Sequence, residues 1–220
     1  MALAVVFDLD GTLIDSAPDV RAALNRLLAE EGRPQLTLPQ VQELVGEGAR
    51  PLIERAWAAT GESAAADAVS GLIERYLGHY RAHPADHTHI YDGVVALLEG
   101  LRAQGALLGI CTNKPSGMTG IVLDALDLTR HFRAVVGGDH PRRKPDGDHI
   151  LETLRRMDAK PEDAVYVGDS ITDVQAARHA GIPVVAVDWG YARMPVEKLR
   201  ADRLISHFRD LTAAIGELRP

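Results

Sequence analysis

Short, uninterrupted apolar segments recur along the chain and predict β-strands. They are continuous rather than alternating in polarity, which is typical of strands that are buried on both faces of a parallel sheet. Four of the five lie between residues 106 and 187. The segments are residues 3–7, 106–111, 134–136, 164–167 and 183–187.

Helical periodicity accompanies the last four strands. Residues 93–105 place Val94, Leu97, Leu98 and Leu101 on one stripe and stop at Gly105. Residues 148–157 repeat this pattern, and residues 173–181 end at a glycine that can form a left-handed cap. Alternating strands and helices predict an α/β fold with a doubly wound parallel sheet.

About ninety residues between the first and second strands read as helices only. Ser16 with Asp19, and Thr37 with Gln40, resemble capping boxes at the start of two of four predicted helices. We therefore expect residues 16–89 to form an inserted helical cap, and residues 1–15 with 90–220 to form the α/β core. The chain would cross between them near residues 13–17 and 84–92, with residues 83–93 the better hinge by composition.

Composition narrows the class of protein. Of 220 residues, 46% are apolar and 25% charged, as in ordinary globular proteins, and the net charge of −7 argues against a nucleic-acid-binding face. No apolar run approaches the roughly 20 residues that cross a bilayer, so we expect no membrane association. A single cysteine, and an N-terminus without a basic region before its apolar run, favour a cytoplasmic protein.

Polar residues follow the predicted strands. Asp8 and Asp10 come after the first strand and, two residues apart, share one face. The later strands are followed by Thr112 and Asn113, by a loop that contains Lys144, and by Asp169 with Asp173. Since ligands of parallel α/β sheets bind beyond the carboxyl ends of the strands, these groups are expected to converge on one crevice.

The acidic residues predict a site for a hard cation. Carboxylates as close as Asp8 and Asp10 repel each other, so a fold that keeps them together needs a cation or a shared proton. Oxygen ligands from Asp8, Asp10 and Asp169 suit Mg²⁺, which commonly binds together with a substrate phosphate. Thr112 and Lys144 supply a hydroxyl and a positive charge for such an anion.

Four short motifs carry a family resemblance. "DLDGT" at 8–12, "TN" at 112–113, "KP" at 144–145 and "GDSITD" at 168–173 resemble, in order and spacing, the motifs of the haloacid dehalogenase-like phosphatase superfamily. Within it, "FDLDGTLIDSAPDV", "CTNKP" and "YVGDSITDVQAA" most resemble the phosphoglycolate phosphatase-like family. The resemblance implies a Rossmann-like core, a mobile cap and Mg²⁺-dependent hydrolysis of a small phosphate monoester, with 2-phosphoglycolate the leading substrate.

The resemblance also implies residue roles. Asp8 would be the nucleophile that forms an aspartyl-phosphate, and Asp10 would protonate the leaving group and then activate water. Thr112 and the Asn113 backbone would hold the phosphoryl oxygens, and Lys144 would stabilise their charge.

The same resemblance implies a metal site. Mg²⁺ would be bound by the Asp8 carboxylate, the Asp10 backbone carbonyl and Asp169, and Asp173 would either orient these ligands from behind or act as a further acid in the metal network. One departure stands out: the run "KPDGD" has Gly147 where relatives often have proline, which predicts a looser loop after Lys144.

Several questions stay open at the level of sequence. In the predicted cap, "VGEGAR" offers Glu47 and Arg50 as candidates for substrate specificity, although a plain interhelix turn explains the segment equally well. Other phosphatase substrates (sugar or amino-sugar phosphates, pyrophosphate), a phosphomutase and a phospho-accepting signalling module are alternatives to the phosphoglycolate hypothesis. The expected partner is a small phosphorylated metabolite, and the protein would be a monomer or a homodimer.

Overall fold

A six-stranded parallel sheet forms the centre of the protein. The computed structural model describes residues 2–218, and the strand order is β5-β4-β1-β6-β7-β8. The five predicted strands are confirmed, with ends moved by a residue at most. The strands of this sheet are β1 (Ala4–Phe7), β4 (Leu107–Cys111), β5 (Ala134–Val136), β6 (Ala164–Gly168), β7 (Val184–Val187) and β8 (Arg203–Ile205).

Helices cover both faces of this sheet, as the α/β prediction requires. Val5 and Phe7 of β1 enter one apolar core, whereas Ala4 and Val6 enter a second core on the opposite face. The first core packs against α5, α6 and α9, and the second against α7 and α8. These helices are α5 (Val94–Ala103), α6 (Ser116–Ala125), α7 (Asp148–Met157), α8 (Ile171–Ala180) and α9 (Leu211–Leu218).

Three elements of the α/β part were not predicted. Strand β8 lies at the edge of the sheet, where Leu204 is 43% exposed, so it lacks the continuous buried pattern of the others. Helix α6 contains Gly117 and Gly120, which disfavour a helix, and it is held by buried Met118 and Val122. Helix α9 has eight residues, which is too short for a clear periodic signal.

Four helices fill the insertion, as the sequence predicted: α1 (Ala17–Glu30), α2 (Leu38–Gln42), α3 (Ala49–Thr60) and α4 (Val69–Ala82). The apolar stripe of α1 is buried. At α2 the expected capping box is present, because the Gln40 side chain accepts a hydrogen bond from the Thr37 backbone N–H at 2.9 Å. The exact division into core and cap remains a prediction.

The two crossings of the chain lie side by side. Strand β2 (Ile14–Asp15) pairs antiparallel with β3 (His89–Ile90), a short ribbon that the sequence did not reveal. Ser16 and Asp19 do not form the expected capping box. Ser16 instead donates to Asp10, and buried Asp19 Oδ2 accepts from the His87 N–H, the Thr88 N–H and the Thr88 hydroxyl at 2.7–2.9 Å.

Within residues 2–218, no helix combines the length and the apolar character that a membrane crossing needs.

The contacts of Asp19 give a prediction for stability. Asp19→Ala leaves three donors without their acceptor, two of them backbone and hydroxyl groups of the buried Thr88. We expect the free energy of unfolding in urea to fall by about 2–4 kcal/mol. Asp67→Ala, at an exposed position of the insertion, is the control and should change it by less than about 0.5 kcal/mol. Equal effects of the two substitutions would show that Asp19 does not tie the crossings together.

Candidate active site

The sheet brings the predicted polar groups to one edge. Strand β1 lies between β4 and β6, and Phe7 is in register with both Ile110 and Val167. The chain runs outward from β1 to β5 on one side and then returns to β6 on the other, so the crevice at β1 and β6 is the switch point where ligands of such sheets bind. Asp8 directly follows the last residue of β1, close to the ends of the neighbouring strands β4 and β6.

Three buried carboxylates cluster there. Oxygens of Asp8, Asp169 and Asp173 all lie within 4.8 Å of one another. Burial raises the pKa of Asp8 to about 6, against the opposing charge of Lys144. Burial, and then the neighbouring carboxylates, raise the pKa of Asp169 well above its usual range. Both acids are therefore poorly compensated by the protein alone.

Lys144 is the cation inside this cluster. Its Nζ lies 2.9 Å from Asp8 Oδ1, 2.7 Å from Asp173 Oδ1 and 2.8 Å from the Tyr166 hydroxyl. Burial acts to lower the pKa of Lys144, but the Asp173 and Asp8 carboxylates raise it above its ordinary value. Burial likewise acts to raise the pKa of Asp173, and Lys144 reverses this, so that Asp173 is held ionised.

The loop after Lys144 makes several specific contacts, and the looser loop expected from Gly147 stays a prediction. The Lys144 backbone N–H donates to His149 Nδ1 at 3.2 Å, and His149 Nε2 lies 3.0 Å from the Gly137 carbonyl. Burial and the Lys144 charge lower the pKa of His149 to about 4, which keeps the ring neutral with its proton on Nε2. A Cβ on Gly147 would lie 2.5 Å from the Ala180 backbone nitrogen, so a glycine is needed for close packing against α8.

Asp169 is positioned by backbone that approaches it closely. Its oxygens accept from the Thr12 hydroxyl at 3.2 Å and from the Tyr191 N–H at 2.6 Å. Gly11 has a φ of +81°, and a Cβ there would lie 2.6 Å from Asp169 Oδ2. A Cβ on Gly190 would lie 2.2 Å from Asp169 Cβ. Glycine at both positions is thus a condition for this arrangement.

The Asp10 carboxylate makes its contacts outside the three-acid cluster, whereas the metal role expected of Asp10 belongs to its backbone carbonyl and stays a prediction. Its carboxylate is not part of the three-acid cluster among the described residues. It accepts from the Ser16 hydroxyl at 2.5 Å and from Lys114 Nζ at 2.9 and 3.1 Å. Sequence reasoning missed Lys114 as a functional candidate, although a charged residue directly after "TN" at a strand end was a usable signal.

Thr112 and Asn113 stand at the end of β4. The Thr112 hydroxyl accepts from the Lys114 N–H at 3.2 Å. Asn113 Nδ2 lies 3.1 Å from both the Gly46 and the Lys144 carbonyls, so its side chain joins a loop of the insertion to the Lys144 loop. The role expected of its backbone, which is to hold phosphoryl oxygens, stays a prediction.

A cavity lies between these groups and the helical insertion. The core contributes mainly polar residues to it, and the insertion contributes mainly apolar and aromatic residues. The residues around it are Asp8, Asp10, Thr112, Asn113, Lys114, Pro115 and Met118 from the core, and Val20, Val45, Gly46, Gly48, Ala49, Leu52, Tyr76, Leu77 and Tyr80 from the insertion.

The structure does not bring Glu47 or Arg50 into this cavity. Glu47 binds Arg55 at 2.7 Å and also Arg193, which reaches from the loop after β7. Arg50 is half exposed and lies 3.3 Å from Glu54, its neighbour one turn along α3. Their neighbours Gly46, Gly48 and Ala49 line the cavity instead. Glu47 therefore forms an ion pair between the insertion and the core, and Arg50 forms an ion pair on the surface.

The donor set fits a hard cation. Asp8 Oδ1 is buried and, despite its proximity to Lys144, has no aligned hydrogen bond. Asp173 is fully engaged, since Ser170 donates to its second oxygen from both its N–H and its hydroxyl. Asp8 and Asp169 are therefore the carboxylates best able to bind a metal ion, and Asp173 is better suited to orient Lys144.

Comparisons with known proteins agree with the motifs. The model of the family described as haloacid dehalogenase-like hydrolase matches residues 5–187. A phosphoglycolate phosphatase of Caulobacter vibrioides is 43% identical over 96% of this chain and 89% of its own length. A phosphoglycolate phosphatase of Rhodospirillum rubrum is 41% identical over 100% of this chain and 93% of its own.

The fold has solved counterparts. The crystal structure of a predicted phosphoglycolate phosphatase from Haemophilus somnus superimposes with a TM-score of 0.91 at 28% identity, and covers 97% of this chain and 98% of its own. Motifs, sheet order and similarity over the whole length thus agree, and the chain belongs to the haloacid dehalogenase-like hydrolase family.

Proposed function

We propose that the protein is a cytoplasmic, Mg²⁺-dependent phosphatase that hydrolyses 2-phosphoglycolate to glycolate and inorganic phosphate. The observation that carries the proposal is the position of Asp8 between a buried lysine and a second buried carboxylate, on the wall of the cavity between the core and the insertion. The names of the Caulobacter and Rhodospirillum relatives support the choice of substrate.

Asp8 performs the first chemical step. One of its carboxylate oxygens attacks phosphorus, the P–O bond to the alcohol breaks, and an aspartyl-phosphate forms. Lys144, 2.9 Å from Asp8, balances negative charge on the nucleophile and on the phosphoryl oxygens. The Thr112 hydroxyl and the Asn113 backbone N–H hold those oxygens in place.

Asp10 handles the protons. It gives a proton to the departing alkoxide and, in the second step, takes one from the water that attacks the aspartyl-phosphate. Hydrolysis then releases phosphate and restores the Asp8 carboxylate. Ser16 and Lys114 orient Asp10 through the contacts described above.

The residues that would hold Mg²⁺ are the Asp8 and Asp169 carboxylates and the Asp10 backbone carbonyl. When bound, the ion neutralises charge on the transferring phosphoryl group. Asp173 keeps Lys144 directed toward Asp8, and Gly11 lets the backbone pass close to Asp169.

Removal of the nucleophile tests the covalent mechanism. Asp8→Asn replaces an attacking oxygen with an amide, so kcat/KM for 2-phosphoglycolate should fall by about 10⁴-fold or more. Inorganic phosphate released in the presence of Mg²⁺ is the measurement. Asp210→Asn, on the exposed carboxylate before α9, should leave it unchanged. Turnover by Asp8→Asn within about tenfold of the wild-type rate would contradict the mechanism.

The same assay separates the alternatives. Steady release of phosphate from 2-phosphoglycolate, ahead of sugar phosphates and pyrophosphate, is the expected result. An isomerised sugar phosphate without net phosphate release would point to a phosphomutase, and a stable phosphoprotein to a signalling role.

The raised pKa of Asp8 predicts how metal and pH act on stability. A carboxyl that titrates near 3.8 when unfolded and at about 6 when folded binds more protons in the native state between these values. Its contribution to the free energy of unfolding therefore decreases as pH rises from about 4 to 6 and stays low above that. Asn mimics the protonated form, so metal-free Asp8→Asn should be more stable than the wild type at pH 8 by about 3 kcal/mol, with little difference at pH 4.

Urea unfolding in EDTA and in Mg²⁺ measures this effect. Mg²⁺ should raise the stability of the wild type at pH 8, have much less effect on Asp8→Asn, and restore the activity that EDTA removes. If the metal-free Asp8→Asn variant were less stable than the wild type at pH 8, the protein alone would already balance the charge of the Asp8 carboxylate, and the prediction would be wrong.

A further inference from the structure

Lys114 is the one cationic residue among the described residues that line the cavity. Its side chain is only 4% exposed. Its Nζ contacts both Asp10 oxygens, at 2.9 and 3.1 Å, and the Tyr80 hydroxyl at 2.9 Å. Burying an ammonium group is costly, so its presence on a cavity wall calls for a reason beyond packing.

Among the described residues, no other side chain around the cavity carries a positive charge that could pair with an anionic group beyond the phosphate. Asp8 and Asp10 repel negative charge, and the side that the insertion supplies is formed mainly by apolar and aromatic residues such as Val20, Leu52 and Tyr76. Arg50, a specificity candidate from the sequence, pairs with Glu54 and is not among the residues around the cavity. A second anionic group on a substrate would therefore find its positive partner at Lys114.

The geometry of the proposed reaction places such a group within reach. Asp10 must lie within hydrogen-bond distance of the ester oxygen to protonate it. In 2-phosphoglycolate a single methylene separates that oxygen from the carboxylate. Lys114 Nζ is within 3.1 Å of both Asp10 oxygens, so the ammonium stands beside the place where the carboxylate must lie.

We infer that Lys114 binds the carboxylate of the substrate and thereby selects phosphate esters with an adjacent carboxylate. This inference rests on the proposed phosphatase function and names the residue that determines its specificity. The ammonium has three N–H donors, so it can keep one Asp10 oxygen and the Tyr80 hydroxyl while it turns the third to the substrate. Lys114 therefore keeps Asp10 in place and binds the substrate carboxylate at the same time.

A purely structural role for Lys114 makes a different prediction. If it only orients Asp10, its loss slows hydrolysis of every alkyl phosphate equally, because each alkoxide leaving group needs the same proton. If it binds the carboxylate, substrates that carry this group lose much more. The ratio of two matched substrates separates the two roles.

Ethyl phosphate and 2-phosphoglycolate form such a pair, since they differ only in a methyl group in place of the carboxylate. We expect Lys114→Met and Lys114→Gln to lower the ratio of kcat/KM for 2-phosphoglycolate over that for ethyl phosphate by about 100-fold. Lys160→Met, at a lysine whose side chain is 61% exposed, should leave the ratio at the wild-type value. An unchanged ratio in both Lys114 variants, with wild-type preference intact, overturns the inference and leaves the proposed function standing.

Binding to the wild-type protein gives a test that does not depend on a variant folding. The phosphonate 3-phosphonopropionate keeps the carboxylate, whereas propylphosphonate has a methyl group there, and neither can be hydrolysed. In the presence of Mg²⁺, the first should inhibit at least about tenfold more strongly. Equal inhibition overturns the inference. If, in addition, the wild type hydrolyses ethyl phosphate with the same kcat/KM as 2-phosphoglycolate, the proposed substrate is wrong too. The rate comparison thus distinguishes failure of the Lys114 inference from failure of the proposed function.

Discussion

The contact of Lys144 with Asp8 and Asp173 is the interaction on which the site depends. Three carboxylates are buried within a few ångströms, and a single ammonium lies among them. It compensates Asp173 fully, with help from Ser170, which is why the pKa of that acid falls while those of Asp8 and Asp169 rise. The cluster thus divides into one acid that fixes the lysine and two that retain unbalanced charge. The unbalanced pair is the part that the proposed Mg²⁺ would complete.

Close backbone approach makes this cluster possible. Gly11, Gly168 and Gly190 each stand where a Cβ would overlap a carboxylate of the cluster, at 2.2–2.6 Å. The short strands β1 and β6 deliver Asp8 and Asp169 to this point because both are fully buried and in register. The apolar strands and the glycine-rich turns therefore act together. The strands place Asp8 and Asp169 at the same edge of the sheet, and the glycines lack the Cβ atoms that would overlap the acidic side chains.

Much of the fold and the main chemical groups could be predicted from the sequence. Continuous apolar runs marked the buried strands, and strand ends marked Asp8, Thr112, Lys144 and Asp169 as groups that meet. What could not be predicted depends on partners distant in the chain. Ser16 and Asp19 have the spacing of a capping box, but in the folded protein Ser16 donates to Asp10 and Asp19 accepts from Thr88. These partners lie outside the helix, so the local spacing could not reveal them. Strand β8 and helix α6 form through tertiary packing rather than through local pattern.

The predicted specificity loop illustrates the same limit at the site. Glu47 and Arg50 were candidates because of charge and flanking glycines, which are local properties. In the folded protein, Glu47 is paired with Arg55 of α3 and with Arg193 of the core, so its charge is already balanced, and it is not among the residues around the cavity. Lys114 shows the reverse: it looks like an ordinary polar residue after a strand, but it is buried beside Asp10 and reaches Tyr80 of α4. The inferred role of Lys114 would place specificity at a charge buried between insertion and core, while the specificity role of Glu47 and Arg50 stays a prediction.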